Sequence, residues 1–314
     1  MQFISSLSGI PADFGPSAVT VGKFDGVHTG HRSVLEALRE LAADRGLVPT
    51  VLTFDRNPLS LLDPESCPAP LVSNEQKREL LAATGIDTMV MLPFDRRFSE
   101  QSAEQFVRSV LVDALHAKIV FVGPDFRFGE HGNGDVAMLA AAGARLGFEV
   151  RSVEAMKSGG QRRVSSTWIR RLLSEGKVAA AARLLGRAPA VRGVVVRGER
   201  RGRALGYPTA NLSPELEGFI PADGVYAGWL TVDGRTLPAA ASVGNNPTFD
   251  GVPDQRVEAH VLDTELDLYD KTVELSFVEW IRGMEKFDSV DDLVARMRQD
   301  EVRARRVLGD APGK

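Results

Sequence analysis

The feature that most constrains this chain is a string rich in glycine and histidine near its start, Gly22-Lys23-Phe24-Asp25-Gly26-Val27-His28-Thr29-Gly30-His31. The string follows a short β-branched run at 18–21 and leads into residues 32–41, whose apolar side chains recur at helical spacing. It therefore predicts a strand, a tight turn and the start of a helix, the unit from which open α/β folds are built.

The residue types in this turn suit a phosphate group. Glycines let the backbone come close to an anion, and the first N–H groups of a helix favour negative charge. His28 and His31 are three residues apart and share a face of the turn, where two imidazoles can donate hydrogen bonds to phosphate oxygens. The alternative is that one histidine caps the helix while the other packs in the core. A metal site is not favoured, because only Cys67 and scattered carboxylates could complete it.

Length and composition favour a soluble chain of two domains. The 314 residues exceed one typical core, and a hydrophobic fraction of 43% is ordinary for a globular protein. The net charge of -4 leaves no basic face, which argues against a nucleic-acid partner. A single cysteine, no signal peptide and no run of transmembrane length predict a cytoplasmic protein without a membrane partner. The sequence leaves open whether the chain forms a homo-oligomer.

The pattern changes near residue 186. Before it, strand-like runs alternate with helical ones, which is typical of a parallel sheet covered by helices that binds ligands at the carboxyl ends of its strands. Strands are predicted at 48–54, 86–92, 119–122 and 149–153, and helices at 34–41, 103–115, 136–146 and 179–185. Short runs at 194–196, 226–232, 237–243, 257–262 and 272–278 then predict an antiparallel barrel, followed by one helix capped by Ser289. The predicted domains are residues 1–186 and 187–314.

A second motif, Gly206-Tyr207-Pro208-Thr209-Ala210-Asn211, lies in the barrel half. Pro208 gives a rigid turn, after which the Thr209 hydroxyl and the Asn211 amide oxygen are hard ligands suited to Mg²⁺ on ATP phosphates. Glu258 lies in an alternating strand and shares a face with His260, although such a residue is more often simply exposed. A cluster of arginines before the motif suits either an exposed loop or phosphate binding: Arg197, Arg200, Arg201 and Arg203.

Together, these motifs resemble those of bacterial bifunctional riboflavin kinase/FMN adenylyltransferases, also called FAD synthetases. The first string is similar to their nucleotidylyltransferase motif. Further stretches match in order over nearly the whole chain, at 53–55, 92–95, 122–129, 165–170, 205–212, 224–227, 246–249 and 257–260.

The resemblance implies an N-terminal Rossmann-like nucleotidylyltransferase domain followed by a C-terminal riboflavin kinase β-barrel of six strands with a closing helix. It implies that riboflavin, FMN and ATP are the substrates and that Mg²⁺ is required. The barrel would convert riboflavin to FMN, and the first domain would convert FMN to FAD with release of pyrophosphate. Adenylyl transfer of this kind needs positioning and charge neutralisation rather than a protein nucleophile.

The resemblance also assigns roles to residues. In the first domain, those expected to bind ATP are Gly22, Phe24, Asp25, Gly26, His28, His31, Ser165, Ser166, Thr167 and Arg170. Of these, His28, His31 and Arg170 are expected to be catalytic. Flavin is expected at Asp125, Phe126 and Phe128, although the two phenylalanines suit a core equally well. In the barrel, ATP is expected at Gly198, Gly202, Thr209 and Asn211, with Mg²⁺ on the last two and Glu258 as the general base.

One stretch departs from the family pattern, which has Pro-His-Pro after Phe-Asp. Here Arg56-Asn57-Pro58 follows Asp55, so any contribution of a histidine in that loop is lost or altered. Two other functions compete: a barrel that only senses flavin, and an adenylyltransferase for another cofactor, such as a pantetheine or nicotinamide nucleotide. Intact Thr209, Asn211 and Glu258 argue against the first, and neither accounts for the Pro-Thr-Ala-Asn motif.

Overall fold

The computed structural model describes residues 1–152, 157–158, 162–198, 206–244, 256–264 and 266–309. The chain divides into two compact units, Met1–Ser165 and Ser166–Lys314. The helical residues between 166 and 185 therefore pack with the second unit. The boundary at residue 186 stays a prediction.

The first unit is built on a parallel sheet of six strands with the order β1-β4-β3-β2-β5-β6. The strands are β1 (Gln2–Ile4), β2 (Ser17–Val21), β3 (Val48–Phe54), β4 (Thr88–Leu92), β5 (Ala117–Val122) and β6 (Glu149–Ser152). The helices are α1 (Thr29–Arg45), α2 (Leu59–Leu62), α3 (Asn74–Ala82), α4 (Arg96–Ser99), α5 (Ala103–Phe106) and α6 (Val136–Leu146). Helix α5 runs on as a π-helical segment, Val107–Ala114. A short antiparallel pair follows, β7 (Lys157–Ser158) and β8 (Arg162–Arg163).

The predicted parallel sheet covered by helices is confirmed. Strand β2 is buried along its whole length, and its alternate side chains enter two cores: Val19 and Val21 on one face, and Ala18 with Leu35 and Leu38 of α1 on the other. Burial on both faces is why this strand is a continuous apolar run rather than an alternating one.

Strand order explains where the first motif lies. Strand β2 pairs with β3 on one side and with β5 on the other. The chain leaves β2 for β3 and later returns to the opposite side, so the order reverses at β2. A crevice forms at such a reversal, outside the carboxyl ends of the strands, and ligands bind in it. Gly22 directly follows β2, which places the first motif at this crevice.

The second unit contains a closed antiparallel barrel with the order β10-β13-β12-β11-β14-β9. Its strands are β9 (Ala190–Val196), β10 (Ala210–Leu212), β11 (Gly224–Val232), β12 (Arg235–Gly244), β13 (Arg256–Val261) and β14 (Thr272–Arg282). Its helices are α7 (Ser166–Ser174), α8 (Val178–Leu185) and α9 (Val290–Gly309). The six-stranded barrel and the closing helix are confirmed, and the Ser289 hydroxyl accepts a hydrogen bond from the Asp292 N–H at 3.1 Å, as expected of a cap.

A buried ion pair between Arg282 and Asp300 connects α9 to the barrel. Arg282 ends β14, and its Nε and Nη2 donate to both carboxylate oxygens of Asp300 on α9, at 2.7–3.0 Å. Both side chains are buried. A bidentate pair of this kind fixes the angle of the helix as well as its position. No helix in the part of the chain that the structure describes has the length and apolar character needed to cross a membrane.

Two candidate active sites

The loop after β2 is held in a strained shape. The Gly22 N–H donates to the Leu52 carbonyl at 3.1 Å, which fixes the start of the loop. Phe24 and Val27 have φ values of 49° and 39°, and Gly26 lies between them at 80°. Such angles are uncommon for residues other than glycine and occur at binding sites. The Phe24 side chain is buried in the core, so a role for Phe24 in ATP binding would fall to its backbone.

His28 and His31 come together at the start of α1. Their rings stack with centroids 3.7 Å apart and planes 12° apart. His28 is the N-cap, and its Nδ1 accepts a hydrogen bond from the His31 N–H at 3.3 Å. The capping alternative is therefore realised by His28. Because its Nδ1 is an acceptor, the proton of a neutral His28 ring lies on Nε2, which leaves Nε2 as the hydrogen-bond donor.

The surroundings of His31 keep its ring neutral. Burial, and then electrostatic interactions with His28, Arg163 and Lys77, hold the pKa of His31 well below its usual value of 6.5. Its Nδ1 is buried and makes no hydrogen bond within the described residues. A buried polar atom without a partner is rare in native proteins and indicates a missing ligand or a functional role.

Two basic residues near this pair were not singled out from the sequence. Lys77 of α3 is buried and donates from Nζ to the Phe54 carbonyl at 3.2 Å. Burial lowers its pKa, and the carboxylates of Asp25 and Asp55 partly offset that shift. The signal in the sequence is weak: Lys77 stands four residues before buried Leu81, on the apolar side of a helix, where a lysine is unusual.

Arg163 is the second of these residues. Its Nη1 donates to the Asp125 carboxylate at 3.1 Å, and its charge acts on His31. The next residue, Val164, is buried and lies beside Gly30 of the first motif. The structure thus brings the residues just before Ser165 up to the histidine loop. Ser166, Thr167 and Arg170 are in the first turns of α7, as expected of a helix start, and they belong to the second unit.

The predicted flavin residues follow β5 but differ in exposure. Asp125 is exposed and paired with Arg163. The Phe126 ring is half-buried and stacks on Phe128 at 5.4 Å, while Phe128 is buried in the core. Flavin binding here stays a prediction. Because Phe128 is buried, its contribution would be to pack against the Phe126 ring.

Asn57, which stands where the resemblance predicts a histidine, has a local structural role. Its side-chain Oδ1 accepts a hydrogen bond from the Leu59 N–H at 3.2 Å, and its carbonyl accepts one from Ser60. These bonds close the turn that begins α2. Asn57 is thus a turn-forming residue at a position where the resemblance predicts a titratable ring.

In the barrel, the short strand β10 brings the second motif beside Glu258. Asn211 pairs with Glu258 of β13 and, on its other side, with Val196 of β9. Val257, Ala259 and Val261 are buried, whereas Glu258 and His260 are half-buried on the opposite face. The predicted alternation is confirmed. Partners across an antiparallel ladder point to the same face about 5 Å apart, so the Asn211 amide and the Glu258 carboxylate are neighbours.

A cavity of about 450 Å³ adjoins Asn211. From β13 it is lined by Ala259 and Val261 of the buried face, whereas Glu258 on the opposite face does not line it. The lining also includes Gly198, Gly206, Thr209, Asn211 and Tyr269. A Cβ on Gly198 would lie 2.7 Å from the Asn211 amide, so a larger residue at this position would displace that amide. Of the arginine cluster, Arg197 lies over the Tyr269 ring at 5.6 Å. Gly202, the other three arginines and the 246–249 stretch lie outside the described residues.

Comparisons with known proteins match this division of the chain. The family model described as FAD synthetase matches residues 10–168, and the one described as riboflavin kinase matches residues 185–308. The bifunctional riboflavin kinase/FMN adenylyltransferase of Escherichia coli K12 is 38% identical over 98% of this chain and 96% of its own length. The protein of that name from Haemophilus influenzae is 36% identical over 97% of this chain and 98% of its own.

A solved structure has the same fold. A Streptococcus pneumoniae protein described as a macrolide-efflux protein superposes with a TM-score of 0.86 at 33% identity, over 96% of this chain and 98% of that one. Both family models match in the expected order, which favours the bifunctional enzyme over a flavin sensor and over an adenylyltransferase for another cofactor. The chain therefore belongs to the family of bifunctional riboflavin kinases/FMN adenylyltransferases, enzymes that phosphorylate riboflavin to FMN and adenylylate FMN to FAD.

Proposed function

We propose that the cavity beside Asn211 is the kinase site and that the crevice at His28 and His31 is the adenylyltransferase site. The observation that supports the first assignment is the pairing of Asn211 with Glu258, because it sets a residue that we propose binds phosphate beside one that we propose acts as the base. The unpartnered Nδ1 of His31, at a helix start, supports the second assignment.

In the kinase reaction, Glu258 accepts the proton of the ribityl 5′-hydroxyl. The oxygen attacks the γ-phosphorus of ATP, and the bond from that phosphorus to the ADP oxygen breaks. The glycines of the cavity wall allow the backbone to approach the phosphates, and Thr209 and Asn211 orient them. The half-buried position of Glu258 suits a base, because it leaves the carboxylate accessible while partly screening it from water.

The donors at the second motif fit a magnesium ion that arrives with ATP. The Asn211 amide nitrogen donates to the carbonyl and the hydroxyl oxygen of Thr209, at 3.4 and 3.5 Å, which directs the amide oxygen away from Thr209. The amide oxygen and the Thr209 hydroxyl are both hard oxygen donors of the kind Mg²⁺ prefers. Among the described residues, no group of three or more His, Cys, Asp or Glu side chains could hold a metal ion. When bound with ATP, the ion would neutralise phosphate charge during transfer.

In the adenylyltransferase reaction, an FMN phosphate oxygen attacks the α-phosphorus of ATP, and pyrophosphate leaves. The chain supplies hydrogen-bond donors and fixed charges rather than a nucleophile. His28 donates from Nε2, and neutral His31 donates from one ring nitrogen to phosphate oxygens. Ser165, the last residue of the first unit, would bind the departing phosphates with its hydroxyl. We place this metabolism in the cytoplasm, which suits a chain with one cysteine.

The kinase assignment is tested by the MgATP dependence of riboflavin phosphorylation. Asn211→Leu keeps the approximate size of the side chain but removes the amide, so the KM for MgATP should rise about tenfold or more, as for a lost hydrogen bond to a charged group. Thr236→Ala is a matched control, because it removes a hydroxyl contact at 3.1 Å elsewhere on the barrel surface. An unchanged KM in Asn211→Leu would exclude the motif from the ATP site.

A further inference from the structure

His260 connects β13, the strand that carries Glu258, to the turn that contains Pro208 and Thr209. Its Nδ1 lies 2.8 Å from the Pro208 carbonyl oxygen. A carbonyl oxygen can only accept, so the imidazole must donate from Nδ1. The bond therefore joins β13, which carries Glu258, to the residue just before Thr209.

This hydrogen bond lies just beyond the end of the ladder between β10 and β13. Backbone pairing between β10 and β13 runs through Asn211–Glu258 and Ala210–Ala259, and β10 begins at Ala210. The bond from His260 to Pro208 is thus the next link past the end of the ladder. Pro208 has no N–H of its own and cannot extend the ladder as a donor.

A ring contact adds a second interaction between His260 and this turn. Tyr207 is buried, and its ring centroid lies 5.2 Å from that of His260. Thr209 therefore stands between two fixed points: the Pro208 carbonyl held by His260, and Ala210 held by the ladder. Fixing the backbone on both sides fixes the direction of the Thr209 hydroxyl toward the cavity.

We propose that His260 is a positioning residue of the riboflavin kinase, which holds the Pro208–Thr209 turn in the conformation that binds MgATP. The proposal rests on the proposed function of Thr209 and Asn211 and goes beyond it, because His260 acts through the turn and not on a phosphate. Its role requires a donor at one place, the nitrogen bonded to Cγ.

That requirement can be tested by two substitutions of similar polarity. The amide nitrogen of asparagine is bonded to Cγ, as Nδ1 of histidine is. The amide nitrogen of glutamine is one bond further out, near the place of Nε2. His260→Asn should therefore restore the hydrogen bond to Pro208, whereas His260→Gln should not.

The experiment measures riboflavin phosphorylation against MgATP concentration with the full chain. His260→Ala should raise the KM for MgATP about three- to tenfold, the range for one lost hydrogen bond, with a smaller change in kcat. His260→Asn should return the KM to near the original value, and His260→Gln should resemble alanine. The control Thr236→Ala should leave the KM for MgATP unchanged. The rate at which added FMN is converted to FAD should be unchanged in every variant.

The outcomes distinguish the proposed ATP site at Asn211 from the proposed positioning role of His260. A normal KM in His260→Ala beside a raised one in Asn211→Leu would overturn the role of His260 alone. A normal KM in Asn211→Leu would overturn the proposed ATP site and the role of His260 with it. Equal rescue by asparagine and glutamine would show that only the volume of the side chain matters. If the alanine variant unfolds early on heating, the comparison of asparagine with glutamine still decides.

Discussion

Asn211 and Glu258 lie directly opposite each other across the ladder between β10 and β13. One side chain belongs to a proposed phosphate and metal site, and the other is the proposed base. The distance between the two side chains is set by backbone pairing between strands rather than by flexible loops. Paired strands hold reacting groups in place more accurately than loops do. The pairing means that any shift of β10 along β13 would misalign the nucleotide and the base at once.

Acid should destabilise the first unit through His31. Its pKa lies well below 6.5 in the folded chain because of burial and the nearby positive charges. The unfolded chain therefore binds more protons below about pH 6.5, so stability is greatest above that pH and falls as the pH drops below it. Urea unfolding between roughly pH 7.5 and 5.5 should show a smaller fall in His31→Gln than in the original chain.

His131 provides the control for this measurement, since its side chain is 82% exposed. His131→Gln should follow the original chain across the same pH range. If the stability of His31→Gln falls with pH as much as that of the original chain, the lowered pKa of His31 is contradicted.

Residues 166–185 should be needed for a stable kinase fragment. Helices α7 and α8 bury apolar side chains, including Ile169, Leu173 and Leu184, and the Ala222 N–H donates to the Leu173 carbonyl at 2.9 Å. Each buried side chain contributes about 1.5–3 kcal/mol. A fragment of 166–314 should therefore phosphorylate riboflavin and melt at a higher temperature than one of 187–314. Equal melting temperatures and equal activities would show that the two helices are dispensable.

The pair Arg282–Asp300 should be far more important for stability than the exposed pairs of the same unit. Asp300→Asn leaves a buried guanidinium without its carboxylate, and the free energy of unfolding should fall by about 3–5 kcal/mol. The control is Glu279→Gln, whose partner Arg303 lies 3.3 Å away with both side chains about half exposed. That change should cost less than about 1 kcal/mol. Similar losses in denaturant unfolding would mean that the buried pair has no special role.

Strong periodic patterns predicted most of the fold. Strand β3 and helix α6 have the predicted bounds, 48–54 and 136–146. Strand β4 begins two residues later than predicted, at Thr88, and α1 begins five residues earlier, at Thr29, because caps and turns set these ends rather than apolar spacing. Strand β10 was missed: its three residues are too few for a pattern, and it forms because β9 and β13 lie on either side of it.

The candidate sites were predictable where a motif supplied them and not where long-range contacts did. Spacing placed His28 and His31 on one turn, and alternation placed Glu258 opposite a buried face. Nothing local links Lys77 to Phe54 or His260 to Pro208, 52 residues away. Such contacts depend on how strands are ordered in the sheet and barrel, which a single sequence does not state.

The separation of the two reactions on one chain is tested most directly by two variants, each assayed with riboflavin and MgATP and separately with FMN and MgATP. Glu258→Gln keeps the size of the side chain but cannot accept the proton, so FMN formation should fall about 10²- to 10⁴-fold. His31→Ala removes a phosphate donor, so FAD formation should fall about 10²-fold.

Each variant should keep the reaction that the other loses. Glu258→Gln should convert added FMN to FAD at the original rate, and His31→Ala should accumulate FMN from riboflavin. If either variant loses both reactions to the same extent while remaining folded, the assignment of the two steps to two sites is contradicted.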